Sequence, residues 1–310
     1  MESINRICFV DKNIVLSDRN IDSLKALKIS LADFDLCNDH LNFSEVESLL
    51  LHSSLPNEKL RAMINCRFIG IRAHNTDYVD RKVCNSCNIK VVGLNKQHGI
   101  DAVAEHTFAL ILGISKNIIN SHRNMVQGNW RRDLPMNYEL NNKTLAIIGN
   151  GKIGKRVAEI AGIFGLNVLI VGKESNLKAG EVSIDEGLRK ADIISIHISS
   201  KKENDNFFNQ EKLQQMKNGS ILINTARGSV LDYIALEKEI QGGRFLGVGL
   251  DVFPDEPVLK SSIFQFSNVI CTPHLGYLTK ECIAEMNNEL VDHFINYMTC
   301  NGLGLPNPRQ

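Results

Sequence analysis

Residues 145–154, LAIIGNGKIG, join an apolar run to three glycines in the spacing G-x-G-x-x-G, and a helical pattern follows. Leu145 to Ile148 read as a fully buried strand. Beyond the glycines, Ile153, Val157, Ile160, Ala161 and Phe164 recur at the spacing of one buried helix face. Gly149 permits a sharp exit from the strand, Gly151 lets a pyrophosphate approach the backbone, and Gly154 lets the helix pack close to the sheet. A helix start adds free N–H groups and the positive end of a dipole. The stretch therefore predicts a dinucleotide-binding turn made of Gly149, Asn150, Gly151, Lys152, Ile153 and Gly154.

One such unit does not use up 310 residues, and that length predicts two domains. Before the glycine loop, strands are expected at Ile7–Val10, Leu49–His52, Phe68–Arg72 and Lys90–Val92, with helical patterns at 21–27 and 56–64 between them. This alternation predicts a small parallel-sheet domain with no phosphate loop of its own. A long helix is expected from Asp101, as its cap, to Gln127, bridging to the nucleotide strand. After the loop come strands at Val168–Val171, Ile193–His197, Ile221–Asn224, Leu246–Leu250 and Val269–Cys271, giving a doubly wound sheet of about six strands. The last helix, Lys280–Met298, is expected to return to the first domain. The fold class is thus α/β, with two Rossmann- or flavodoxin-like parallel-sheet domains. The nucleotide domain, 99–279, is inserted into a discontinuous substrate domain of 1–98 and 280–310.

Charge narrows the partners. Thirty-five basic and 35 acidic residues balance, with no basic stripe or acidic tail, so neither nucleic acid nor an anionic membrane is expected. No apolar run approaches the ~18 residues of a membrane span, and the N-terminus lacks a signal-like apolar region. The cytoplasm is the expected compartment. Only Cys84 and Cys87 of the eight cysteines form C-x-x-C, without a second ligand pair, so no metal is expected and both read as small core residues.

Chemistry-bearing residues gather just past the expected strands. INTARGSVLD, 223–232, sets Arg227 where a guanidinium can grip a carboxylate through two parallel hydrogen bonds. GLDVFPDEP, 249–257, brings Asp251 and Glu256, and TPHLGYLT, 272–279, brings His274. A histidine beside a carboxylate and an arginine is an acid/base pair with an anion clamp. In the first domain, IRAHNTDYVD, 71–80, follows a strand. Asn75 suits a left-handed turn there, which would let the N–H groups of Ala73, His74 and Asn75 face a substrate carboxylate.

These motifs, with DAVAEHTFALIL at 101–112 and GNW at 128–130, resemble the D-isomer-specific 2-hydroxyacid dehydrogenase family from Phe68 onward. The resemblance implies NAD(P)-dependent interconversion of a small 2-keto acid and its D-2-hydroxy acid. It implies Arg227 as the carboxylate clamp, His274 as proton donor and Glu256 as its partner. It also implies cofactor contacts from Gly172, Lys173, His197, Ile198, Ser199, Thr225, Ala226, Asp251, His274 and Gly276, and a homodimer formed through the nucleotide domain. The chain departs from the pattern in VLIVGKES, 168–175: Gly172 and Lys173 stand where NAD enzymes usually carry an acidic residue at the second strand end. That favours NADP(H) over NAD(H), unless Glu174 takes the ribose hydroxyls. Asn75 replaces a common glycine, and no proline follows His197-Ile198. Two other outcomes share the resemblance: an NAD(H)-sensing corepressor without activity, or a formate- or phosphite-type dehydrogenase. Glu256 opposes the formate member, whose relatives carry glutamine there.

Overall fold

The computed structural model describes residues 6–38, 41–130, 135–199 and 201–300, apart from the side chain of Glu174, so the expectation for that side chain lies outside the described residues. They form two compact units, 6–98 with 279–300, and 99–278.

In chain order, the first unit contains β1 (Arg6–Asp11), α1 (Asp18–Ala26), β2 (Ile29–Phe34), β3 (Ser48–Leu51), α2 (Asn57–Ala62), β4 (Phe68–Ile71), α3 (Arg81–Ser86) and β5 (Lys90–Val92). The second contains α4 (Ile100–Ser115), α5 (Ile118–Val126), β6 (Thr144–Ile148), α6 (Lys152–Ile163), β7 (Asn167–Val171), β8 (Glu181–Val182), α7 (Ile184–Lys190), β9 (Ile193–Ile196), α8 (Gln210–Gln215), β10 (Ser220–Asn224), α9 (Tyr233–Gln241), β11 (Phe245–Leu250) and β12 (Val269–Cys271). Helix α10 (Lys280–Cys300) belongs to the first unit.

The first sheet is parallel, in the order β2-β1-β3-β4-β5. Side chains alternate across it, as the pleat requires. Leu49, Leu51, Ile69 and Ile71 join Leu60 of α2 and Val83 and Cys84 of α3 in one core. Leu50, Phe68 and Gly70 turn to the other face, where a Cβ on Gly70 would come within 2.9 Å of Leu290 in α10. Cys84 is buried and Cys87 packs at the edge of the same core. β2, absent from the sequence reading, is an edge strand whose middle residues are only partly buried, so its apolar signal is weak.

The second sheet is also parallel, in the order β12-β11-β10-β9-β6-β7-β8. Leu145 and Ile147 pack with Phe108 and Ile111 of α4 and Val157 and Ala161 of α6. Ala146 and Ile148 face the opposite way, toward Leu188 of α7, Leu213 of α8 and Leu236 of α9. Strand order reverses between β6 and β9, which makes the crevice at their carboxyl ends the switch point where α/β sheets bind ligands.

Three local expectations are corrected. The sheet has seven strands, because the two-residue β8 pairs with the end of β7. The long bridging helix is two helices bent by 58°, broken where Asn117 takes a left-handed φ of 49°. Its N-cap is Gly99, while Asp101 sits in the first turn and accepts a hydrogen bond from Arg156 Nε at 2.6 Å. Among the described residues, no single helix is long and apolar enough to cross a membrane.

Candidate functional site

The glycine loop has the geometry that its spacing predicts. Gly149 has φ 111°, and a Cβ there would lie 2.7 Å from the His197 carbonyl oxygen across the switch point. A Cβ on Gly154 would overlap the Gly149 oxygen at 2.3 Å, so only glycine lets α6 start this close to the strand. Nothing lies within 4 Å of a Cβ built on Gly151, which is the N-cap of the twelve-residue α6. That side of the loop is open at a helix N-terminus, and Lys152 and Ile153 form its first turn. The cradle fits a pyrophosphate.

His197, Ile198 and Ser199 follow β9 on the other side of the crevice. The His197 N–H donates to Ile148 at 2.9 Å, and its Nε2 lies 2.8 Å from Ser195 Oγ. Burial pushes the His197 imidazole down to about 4, so it is neutral near pH 7. At the end of β10, Thr225 is buried against Thr107, with hydroxyls 3.0 Å apart, and the Ala226 N–H donates to Asn224 Oδ1 at 3.1 Å.

Arg227 comes next and is exposed; its carbonyl accepts from Asn224 Nδ2 at 2.9 Å. Gly228 brings this loop hard against the loop after β11, because a Cβ there would fall 1.9 Å from the Phe253 carbonyl carbon. Phe253 in turn donates its N–H to Glu256 Oε1 at 2.9 Å. The other oxygen of Glu256 lies 2.7 Å from His274 Nδ1. The imidazole is therefore held through Nδ1, leaving Nε2 as the nitrogen free to meet a substrate.

Asp251 has a different place from the cofactor contact expected of it. It is 2 % exposed, and both carboxylate oxygens turn inward. Oδ1 accepts from Thr272 Oγ1 at 2.5 Å and the Leu275 N–H at 2.8 Å, and Oδ2 accepts from the Gly276 N–H at 2.9 Å. His106 Nε2 lies 3.3 Å from Oδ1. Burial alone would raise this carboxyl; the bonds from His106, Thr272, Gly276 and Leu275 outweigh it and hold it below the usual range. Asp251 thus shapes the loop that carries His274, and no cofactor contact is needed to explain it. Gly276 is closed off likewise, buried against Asp251 Oδ2. Sequence reasoning did not pick out His106, although it lies inside DAVAEH.

The second strand end needs a further correction. Gly172 places no side chain there, but Glu181 of β8 brings its carboxylate to the same spot. Lys173 is exposed, with Nζ 4.0 Å from Glu203. In the first unit, Asn75 does not take the left-handed conformation; its Oδ1 instead accepts from the Asp77 N–H at 3.0 Å, which turns the loop without positive φ. Ala73 O accepts from Leu94 at 2.9 Å, and His74 Nδ1 lies 3.1 Å from Leu94 O. Among the described residues, the N–H groups of Ala73, His74 and Asn75 have no acceptor.

A doubly wound parallel sheet with a glycine cradle at its switch point, an arginine past β10 and a carboxylate-paired histidine past β12 has the architecture of a dinucleotide-binding α/β domain. Residues 108–276 match the family model described as D-isomer specific 2-hydroxyacid dehydrogenase, NAD binding domain, and the chain belongs to that family. D-3-phosphoglycerate dehydrogenase from Synechocystis sp. is 30% identical over 270 residues, covering 84% of this chain and 48% of that one. This chain therefore spans about half of that relative's length. Hydroxypyruvate reductase from Thermotoga maritima is 28% identical over 281 residues, covering 86% of this chain and 92% of that one. The solved structure of D-lactate dehydrogenase from Aquifex aeolicus, complexed with NAD and lactic acid, is 30% identical with a TM-score of 0.73, covering 96% of each chain.

Proposed function

We propose that this chain is an NAD(P)-dependent reductase of small 2-keto acids that forms D-2-hydroxy acids. The observation that carries the reading is the Glu256–His274 pair, held one loop away from Arg227 at the edge of a sheet whose glycine cradle fits a dinucleotide. When bound, the reduced nicotinamide supplies a hydride to the keto carbon. Arg227 holds the substrate carboxylate and polarises the neighbouring carbonyl. As negative charge grows on the carbonyl oxygen, His274 delivers a proton there from Nε2. Glu256 grips Nδ1 and fixes which nitrogen faces the substrate. In the first unit taken by itself, the acceptor-free N–H groups of Ala73, His74 and Asn75 are proposed as donors to a carboxylate. The hydride and the proton together convert the C=O into CH–OH.

The neutral His197 fits a place near an uncharged part of the cofactor, since an imidazolium is disfavoured there by burial. The second unit also exposes a run of apolar side chains: Ile118, Met125 and Val126 of α5, then Trp130 and Met136. Ile119, Arg123, Leu259 and Phe264 line a neighbouring cavity of about 760 Å³ that reaches Glu256 and His274. A second copy of the chain is the occupant we assign to this face, as a homodimer through the dinucleotide unit.

The test is turnover of glyoxylate, pyruvate and hydroxypyruvate with NADH and with NADPH, followed by nicotinamide absorbance. Steady turnover with at least one pair supports the reading. Tight dinucleotide binding without turnover of any keto acid would favour the corepressor reading instead.

A further inference from the structure

The end of β7 carries a carboxylate that does not come from β7. Gly172 follows the last strand residue, and a Cβ built on it would lie 2.0 Å from Glu181 Oε2 and 2.8 Å from the Glu181 carboxyl carbon. Glu181 arrives from β8, whose two residues pair with Ile170 and Val171, and the Gly172 N–H donates to Val182 O at 3.2 Å. The carboxylate is fixed from two sides. Its Oε2 accepts the Lys178 N–H at 3.0 Å, and its Oε1 accepts from Asn150 Nδ2 at 2.8 Å. Asn150 stands between the first two glycines of the cradle, so one carboxylate ties the phosphate loop to the second strand end. Those two bonds, the Lys178 one first, also hold the carboxyl below its ordinary range, so it is ionised at neutral pH.

An ionised carboxylate offers about four lone-pair sites, and two are engaged here. The rest can accept two neighbouring hydroxyls. The same fixed charge opposes a phosphate dianion in place of one of them. We infer that Glu181 is the acceptor for the adenosine ribose hydroxyls and the group that discriminates against NADP(H), an inference that rests on the dinucleotide reading proposed above. The glycine at 172 then has a reason: any side chain there would displace the Glu181 carboxylate. Lys173 does not offset this charge, because both members of its loose pair with Glu203 are exposed and screened by solvent.

The experiment is equilibrium binding, by calorimetry, of NADH, NADPH, ADP-ribose and 2′-phospho-ADP-ribose to wild type and to Glu181→Gln, Glu181→Ala and the swap Gly172→Asp/Glu181→Ala. Thermal melts of the unliganded proteins check the fold. Wild type should bind NADH at least about tenfold tighter than NADPH. Glu181→Gln keeps an acceptor for Asn150 but removes the charge, and should shift the NADH/NADPH affinity ratio toward NADPH by about tenfold or more. The swap should restore the preference for NADH. The two ADP-ribose fragments should follow the same order. A ratio within about twofold of wild type in both Glu181 single variants overturns this inference while leaving dinucleotide binding intact. If wild type binds none of the four ligands, the dinucleotide reading falls, and this inference falls with it.

Discussion

His274 sits at φ 54°, backbone space that side chains with a Cβ seldom occupy. Strain of this kind persists where surrounding bonds over-determine it, and here Asp251 supplies them: its backbone oxygen accepts the His274 N–H at 2.8 Å, and its carboxylate binds the next two N–H groups. His274→Ala removes the proton donor and should lower kcat for keto-acid reduction by about 10²–10⁴. Glu256→Gln should cost less, since Gln can still bond Nδ1 but carries no charge. A kcat for His274→Ala within threefold of wild type would take the imidazole out of the reaction. Arg227→Gln should lower kcat/KM by about two to three orders of magnitude, the loss of a charged two-point contact, while the dinucleotide Kd stays within about twofold. Equal losses in both quantities would mean that Arg227 serves the fold or the cofactor rather than the substrate.

The loop after β12 depends on a single buried carboxylate, and its pH behaviour follows from that. The Asp251 carboxyl is depressed in the folded protein, so its stabilisation is complete above the unfolded value of about 3.9 and is lost as pH falls through the lower folded value. Asp251→Asn should lower stability at neutral pH by about 2 kcal/mol, and that difference should shrink toward zero as pH drops below about 4. Urea titrations of both proteins across this range check it; a difference that stays constant with pH would show that the charge is not what the loop uses. Much of this element-level picture was legible in the sequence. The strands of the second sheet from β6 to β12 fell where apolar runs predicted them, apart from β8, because buried parallel strands read as continuous runs. The placement of Arg227, Glu256 and His274 in loops past β10, β11 and β12 was legible because their motifs follow those strands. Other features depend on contacts between distant residues. β8 is two residues with half-buried side chains, and Glu181 gains its meaning only from pairing beside β7. Asp251 reads from the sequence as a cofactor contact at a strand end, but its acceptors are filled by Thr272, Leu275 and Gly276, which no local pattern reveals. The break at Asn117 is a single left-handed residue inside a continuing apolar period, so periodicity passes over it.

At the scale of the whole molecule, the exposed apolar side chains of α5, with Trp130 and Met136, predict assembly. Ile118 and Val126 of α5 are 53% and 73% exposed. Light scattering should give twice the 34.6 kDa chain mass, and Ile118→Lys/Val126→Lys should yield monomer with its melting behaviour otherwise preserved. Monomer for wild type at micromolar concentration would remove the second copy from this face. The proposed reduction of a 2-keto acid by hydride transfer, with His274 as the acid, can be followed by isotope transfer. Pyruvate or hydroxypyruvate would be reduced with nicotinamide deuterated at the transferable C4 position, and the product analysed for enantiomer and label. Wild type should give D-2-hydroxy acid bearing one deuterium at C2, with formation slowed by at least about a hundredfold in His274→Ala. Unlabelled product, the opposite enantiomer, or no product from a protein that binds the dinucleotide tightly would contradict it.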